Sequence, residues 1–216
     1  MKYATLLVEK KDHIGSITFN RPDKLNALNA LAFQEIIAAL HEVDQDDDIR
    51  VVIITGAGRT FSAGLDLEEA TKGPSESDLQ VAPTQDSLAW IPHIMRNVKK
   101  PIIAALNGAT AGGGFSIALA CDIRIASEEA RLVAPFLRVG LVPEFGSTYN
   151  LPRLVGIAKA CELIFTAKIV TAKEAKEIGL VNEVVPKDEL IRFTWKMATE
   201  IDQMAPIPLQ LAKRAL

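Results

Sequence analysis

Val51-Val52-Ile53-Ile54-Thr55 runs directly into Gly56-Ala57-Gly58-Arg59-Thr60-Phe61-Ser62-Ala63-Gly64-Leu65-Asp66-Leu67, and Pro101-Ile102-Ile103-Ala104-Ala105-Leu106 runs into Asn107-Gly108-Ala109-Thr110-Ala111-Gly112-Gly113-Gly114-Phe115-Ser116. Each begins as a continuous apolar run of strand length, the pattern of a strand buried on both faces. Each then opens into a loop of small residues. Glycine lets the backbone approach a ligand and lets an amide N–H point away from regular pairing. Gly113 stands where a helix should begin, so unpaired amides and the helix dipole favour negative charge there. The plainer reading is that each cluster is only a turn. A phosphate loop fits poorly, because neither cluster matches Gly-x-x-x-x-Gly-Lys-Ser/Thr or Gly-x-Gly-x-x-Gly.

Outward from these loops, the pattern is that of alternating strands and helices. Thr5 to Val8 and Gly15 to Phe19 read as a hairpin around Lys10-Lys11-Asp12-His13. Asn29 offers an N-cap to an amphipathic helix through Phe33, Ile36, Ile37, Leu40 and Val43, ended by the acidic run Asp44 to Asp48. The polar stretch 71–86 reads as a mobile loop, followed by a helix over Ser87 to Val98 with a late start or kink at Pro92. A helix over Gly113 to Ala120 and a strand over Ile123 to Ala126 come next. Thr171-Ala172-Lys173-Glu174 is a capping box, and Gly179 stops its helix. Leu180 to Val185 is a strand, and an amphipathic helix runs from about Asp188 to Met204. No internal repeat is visible. The expectation is one α/β domain over residues 1–216 with largely parallel strands.

The 216 residues, 49% hydrophobic and 24% charged, suit one globular core, and a formal net charge of -3 gives no reason to expect nucleic acid or an anionic membrane as partner. Pro101 to Cys121 approaches membrane-spanning length, but Asn107, Gly108 and the triple glycine make a strand, loop and buried helix the better account. The N-terminus has no apolar stretch suited to a signal peptide and reads as the mature start. Cys121 and Cys161 show no metal or redox spacing, so a reducing, cytoplasmic setting is expected. His13, His41 and His93 fall outside the two loops, and neither a metal site nor a Ser-His-Asp triad is supported.

Taken in order, several segments resemble the signatures of the crotonase (enoyl-CoA hydratase/isomerase) superfamily. These are Asn20-Arg21-Pro22-Asp23-Lys24-Leu25-Asn26-Ala27-Leu28, Phe61 to Leu67, Asn107-Gly108 through Gly114, Cys121-Asp122, Gly140-Leu141-Val142-Pro143 and Ala175 to Val181. The resemblance covers nearly the whole chain. It implies a spiral of strand-strand-helix turns, assembled as trimers or hexamers, with a helical C-terminal part that is truncated here. It implies an acyl-CoA thioester as substrate, with coenzyme A as part of that substrate and no permanently bound cofactor. By the same resemblance the amides of Leu65 and Gly113 are the two oxyanion-hole donors, and Lys24, Ala27, Leu28, Ala63, Asp66 and Leu67 line the coenzyme A portion.

Removing a proton next to a thioester puts charge on the carbonyl oxygen, and one preorganised donor aimed there is worth about 2.7–4 kcal/mol. The base then sets the reaction. Hydratases of the family place one glutamate three residues after the oxyanion glycine and another after the proline of a later segment. Those positions are Ser116 and Phe136 in this chain. Asp122 is about 13 Å along a helix from Gly113 and reads as structural. Glu128 and Glu129 read as a solvated turn. Glu144, between Pro143 and Phe145 and ahead of a helix capped by Ser147, reads either as a surface residue or as a partly desolvated carboxylate suited to proton abstraction. Its position also resembles the single acid of the enoyl-CoA isomerases. The expected function is therefore an enoyl-CoA double-bond isomerase with Glu144 as proton shuttle. The alternatives are a hydratase on an unusual acyl-CoA and a non-catalytic acyl-CoA-binding protein. Arg59, Lys72, Arg96, Lys99 and Lys100 are assigned no role, since exposed cations are usually solvated.

Overall fold

The structure is a computed structural model that describes residues 2–70 and 91–216. The polar stretch 71–86, the start of the helix expected from Ser87, and Lys72 lie outside the described residues. The chain opens with an antiparallel hairpin, β1 (Leu6–Lys11) and β2 (Ile14–Phe19), with Leu6 opposite Phe19 and Lys11 opposite Ile14. Helix α1 (Ala30–Gln45) starts at Asn29, whose side chain accepts from the amide of Ala32 at 2.9 Å as the sequence predicts. Its last turn is closed by a distant cation. Lys100 Nζ donates to the carbonyls of Val43, Asp44 and Asp46 at 2.6, 2.9 and 2.6 Å, which is why this lysine is buried.

From there the chain climbs in a spiral. Strand β3 (Val51–Gly56) is followed by β4 (Thr60–Ser62), the short helix α2 (Leu67–Ala70) and helix α3 (Ile91–Asn97). The next turn is β5 (Ile102–Leu106), β6 (Ala109–Ala111) and α4 (Gly112–Ala120), and the one after it is β7 (Ile123–Ser127) and β8 (Arg131–Val133), followed by α5 (Ser147–Val155) and α6 (Ile157–Thr166). Strand β9 (Val170–Thr171), α7 (Ala172–Glu177), β10 (Glu183–Val185), α8 (Leu190–Asp202) and α9 (Pro206–Ala215) complete it. Among the described residues the strands form a six-stranded sheet, β1-β2-β3-β5-β7-β10, and a four-stranded sheet, β4-β6-β8-β9. Pairing is parallel except at β1 with β2 and β8 with β9. The pairs β3–β4, β5–β6 and β7–β8 each give their first strand to the large sheet and their second to the small one, whereas β1 and β2 both join the large sheet and the last pair reverses the order, β9 joining the small sheet and β10 the large one. This is the α/β spiral that the resemblance implies.

The continuous apolar runs follow from this layering. Side chains alternate along a strand, so Val52 and Ile54 of β3 enter the main core with α1 and α4, while Val51 and Ile53 enter a second core under α8 with Leu190 and Ala198. Both faces of the sheet are covered.

Several sequence expectations are corrected. A structural repeat exists where no sequence repeat shows, because β4, β6, β8 and β9 are only two or three residues long and carry no periodicity of their own. The strand expected over Leu180 to Val185 is confined to Glu183–Val185. Of the predicted capping box the Thr171 half forms, with Oγ1 accepting from the amide of Glu174 at 3.2 Å, while the Glu174 carboxylate accepts from Lys168 Nζ at 2.6 Å. Ser147 does not cap α5. It is the first helical residue, Gly146 holds the cap position in a left-handed conformation, and the Ser147 hydroxyl turns back to the carbonyl of Glu144.

Candidate active site

The segment after β4 runs beside the one before α1. Leu28 and Leu65 form an isolated parallel bridge in which the Leu28 amide donates to the Gly64 carbonyl at 2.7 Å and the Asp66 amide donates to the Leu28 carbonyl at 3.0 Å. Alternate residues therefore face opposite ways. Gly64 and Asp66 point inward and are buried, while Ala63, Leu65 and Leu67 point outward. Among the described residues the amide of Leu65 has no acceptor.

The second unpaired amide belongs to α4. A helix leaves its first N–H groups without intrahelical acceptors, and Gly113 is the second residue of this one. The opposite end is closed by the buried Arg124, which donates through Nη1 to Cys121 O at 2.6 Å and through Nε to Leu180 O at 3.0 Å. A cation there complements the negative end of the helix dipole, and the positive end lies at Gly112 and Gly113. Close packing brings the two loops together. A Cβ on Gly64, whose φ is +90, would stand 2.8 Å from Ala111 O and 3.1 Å from Gly113 N, and one on Gly114 would stand 2.5 Å from Ser62 Cβ. Only glycine allows these approaches.

Leu65 and Gly113 line one cavity of about 450 Å³. Its other walls are Ala63, Leu67, Gly112, Pro135, Phe136, Val139, Leu141, Phe145 and Glu144. Glu144 is the one acid among the described residues that line it. A larger cavity of about 560 Å³ lies at Asp122, Arg153 and Lys213. None of the predicted site residues lines that one. Its Asp122 carboxylate accepts the Ile102 amide at 2.7 Å and pairs with Lys213 at 2.8 Å, a structural arrangement.

Glu144 reaches the rim of the smaller cavity from a tight turn. Phe145 and Gly146 both take left-handed conformations, with φ of 50 and 68. The turn sends the Phe145 ring inward, where it stacks on Phe33 at 5.4 Å between centroids. The Glu144 side chain is thereby turned outward and is exposed, which corrects the expectation of a desolvated carboxylate. The apolar neighbours Pro143 and Phe145 suggested burial, but Phe145 alone is buried. Ser116 and Phe136 also diverge from each other. Ser116 is fully buried with its hydroxyl on backbone carbonyls, whereas Phe136 supplies an apolar wall.

The sequence model of enoyl-CoA hydratase/isomerase matches residues 9–216. The chain belongs to the enoyl-CoA hydratase/isomerase family. It is 40% identical to a probable enoyl-CoA hydratase of Mycobacterium bovis over the whole of this chain and 82% of the relative. An enoyl-CoA hydratase structure from Bacillus anthracis superposes with a TM-score of 0.91 at 36% identity, over 98% of this chain and 82% of the other. A monofunctional enoyl-CoA isomerase from M. smegmatis superposes with a TM-score of 0.82 at 33% identity, over 97% and 90% of the two chains.

For this enoyl-CoA hydratase/isomerase family member, the six residues expected to line coenzyme A do not share one disposition. Ala63 and Leu67 face the cavity. Lys24 is exposed and its Nζ pairs with Glu68 at 2.9 Å, while Ala27 is half-buried and its carbonyl accepts from Arg21 at 2.7 Å. The side chains of Leu28 and Asp66 are turned into the protein. Leu28 is in the core, and the Asp66 carboxylate is held by Arg21 Nη1 at 2.9 Å. Burial raises the Asp66 carboxyl, but hydrogen bonds from Arg21 and the Glu69 amide, with the charges of Arg21 and Lys24, outweigh it and hold the group below the usual carboxylate range. The apolar walls Pro135, Val139, Leu141 and Phe145 escaped the sequence reading. The signal available was a run of apolar residues interrupted only by Arg138, Gly140 and Glu144.

Proposed function

We propose that this protein is an enoyl-CoA isomerase that moves a double bond from carbon 3 to carbon 2 of an acyl-CoA thioester. One observation carries the reading. The residues Leu65 and Gly113, whose amides have no acceptor among the described residues, border the same apolar cavity as Glu144, the one acid among the described residues that line it. The two N–H groups receive the thioester oxygen. Glu144 takes a proton from carbon 2, and the electron pair moves onto that oxygen, where the donors stabilise the enolate by about 2.7–4 kcal/mol each. The protonated carboxyl then returns the proton at carbon 4, the double bond closes between carbons 2 and 3, and the carboxylate is regenerated. One base serves both transfers. Coenzyme A enters and leaves as part of the substrate, against Ala63 and Leu67.

Glu144→Gln should abolish turnover of 3-enoyl-CoA thioesters while leaving their binding within a few-fold, and full turnover by that variant would refute the assignment. A hydratase reading is favoured by the names of most relatives. Adding water calls for a group to orient and deprotonate it and an acid to protonate the neighbouring carbon. Phe136 offers neither, and the Ser116 hydroxyl is committed to backbone. Product analysis in ¹⁸O water separates the two, since only hydration places solvent oxygen on the acyl chain. A non-catalytic acyl-CoA binder would exchange no carbon-2 hydrogen in heavy water. The same reading proposes a single crotonase-like domain over residues 1–216 and a homotrimer or hexamer as its assembly, supported by the exposed apolar side chains Ile157 and Phe165 on α6. Sedimentation velocity reads that assembly.

A further inference from the structure

The carbonyl of Glu144 is held by more donors than its two lone pairs require. It accepts the Ser147 amide at 3.0 Å, the Ser147 hydroxyl at 2.7 Å and the Ser116 hydroxyl at 3.1 Å. Ser147 is local to the turn. Ser116 comes from α4, and its oxygen is also 3.3 Å from the carbonyl of Gly112, the residue whose successor presents the Gly113 amide. A serine inside a helix ordinarily bonds only its own i−4 carbonyl. Here the shorter contact crosses to the turn that carries the carboxylate. Ser116 is 0% exposed, so water does not compete for the hydroxyl.

The turn needs such an anchor. Phe145 is held at φ 50, a conformation that costs a side-chain-bearing residue roughly 1–2 kcal/mol and persists only where the surroundings impose it. The Phe33 stack fixes the ring of Phe145, and the donors on its preceding carbonyl fix the backbone from which the Glu144 side chain departs.

We infer that Ser116 is a positioning residue that sets the distance between the Glu144 carboxylate and the Gly113 amide by tying the Glu144 carbonyl to helix α4. This rests on Glu144 being the base. Among the described residues no hydrogen bond holds the Glu144 carboxylate itself, and of the donors on its carbonyl only the Ser116 hydroxyl comes from the helix that presents Gly113. Loss of the tie leaves both amides, the pocket and substrate binding intact and lets the base wander, and a displacement of about 1 Å costs on the order of a hundred-fold in rate.

The test compares Ser116→Ala with the isosteric pair Ser116→Thr and Ser116→Val, which differ only by the hydroxyl, each assayed on 3-enoyl-CoA thioesters and by thermal melting. Ser116→Ala and Ser116→Val should lose ten- to a hundred-fold in kcat with KM changed by less than about threefold, and Ser116→Thr should regain most of the loss. In a Glu144→Gln background the Thr and Val variants should be equal. Equal kcat for Thr and Val in the Glu144 enzyme, a loss that follows melting temperature instead of the hydroxyl, or a Thr–Val difference that survives in the Glu144→Gln background would overturn the inference. A fully active Glu144→Gln protein would overturn the isomerase assignment itself, a result separable from these.

Discussion

Leu28 occupies both backbone groups that flank Leu65, the carbonyl of Gly64 at 2.7 Å and the amide of Asp66 at 3.0 Å, while the amide of Leu65, a residue of the cavity wall, has no acceptor among the described residues. A bridge of a single residue pair thus does what a regular ladder would prevent. It anchors the strand while sparing one donor, and an unpaired amide beside an apolar wall is strongly biased towards an oxygen that arrives there.

Gly64 is the point at which this arrangement is most easily broken. Gly64→Ala places a methyl 2.8 Å from Ala111 O and 3.1 Å from Gly113 N at a φ of +90. We expect a loss of about 1–2 kcal/mol in stability from the backbone conformation alone. Turnover should fall on the order of a hundred-fold as the two amides are pushed apart. Chemical denaturation and steady-state kinetics on 3-enoyl-CoA read the two effects separately, and an unchanged kcat would contradict the placement of the donors.

The Arg21–Asp66 pair predicts a pH dependence of stability. A carboxyl whose folded pKa lies below its unfolded value stabilises the protein above the unfolded pKa, and the contribution disappears as pH falls through the folded one. The melting temperature of the wild type should therefore exceed that of Asp66→Asn at neutral pH, and the gap should narrow below about pH 4. A gap that is constant down to acid unfolding would show that the pair contributes no differential charge interaction.

Asp122 and Lys213 join α9 to the body of the protein at 2.8 Å, and Lys213 Nζ also donates to Lys100 O at 2.8 Å. Burial pulls the Lys213 ammonium below its ordinary pKa, against the opposing pull of the Asp122 charge. Asp122→Asn would leave that ammonium buried without its carboxylate. We expect a loss of about 3 kcal/mol in urea unfolding, the low end for a broken buried pair because the aspartate side chain retains 20% exposure. A change under about 0.5 kcal/mol would assign the pair to the ordinary surface class.

The two thiols should separate cleanly in alkylation. Burial pushes the Cys121 thiol up to about 12, and its sulfur sits on the carbonyl of Ile117 at 3.4 Å, whereas Cys161 is partly exposed. Iodoacetamide at pH 8 should label Cys161 in the native protein and reach Cys121 only under denaturing conditions. Mass spectrometry of the labelled peptides reads the outcome, and native labelling of Cys121 would mean that the core around α4 opens readily.

The amino-acid sequence by itself determined the long elements and the two loops that border the cavity. Buried strands β3 and β5, the amphipathic α1 and its Asn29 cap, the Thr171 capping box and the two glycine-bearing loops are written in periodicity and local hydrogen bonding, which act within a few residues. Only the tertiary structure decided the short strands of the second sheet, which are stable because β6 lies between β4 and β8 and have no pattern alone. It also decided that Asp66 serves Arg21, that Glu144 faces outward while Phe145 fills the core, and that Leu28 bonds the neighbours of Leu65 while the Leu65 amide has no acceptor among the described residues. Each of these is a choice between partners far apart in the chain, and burial and hydrogen-bond competition make that choice only once the spiral has brought the partners together.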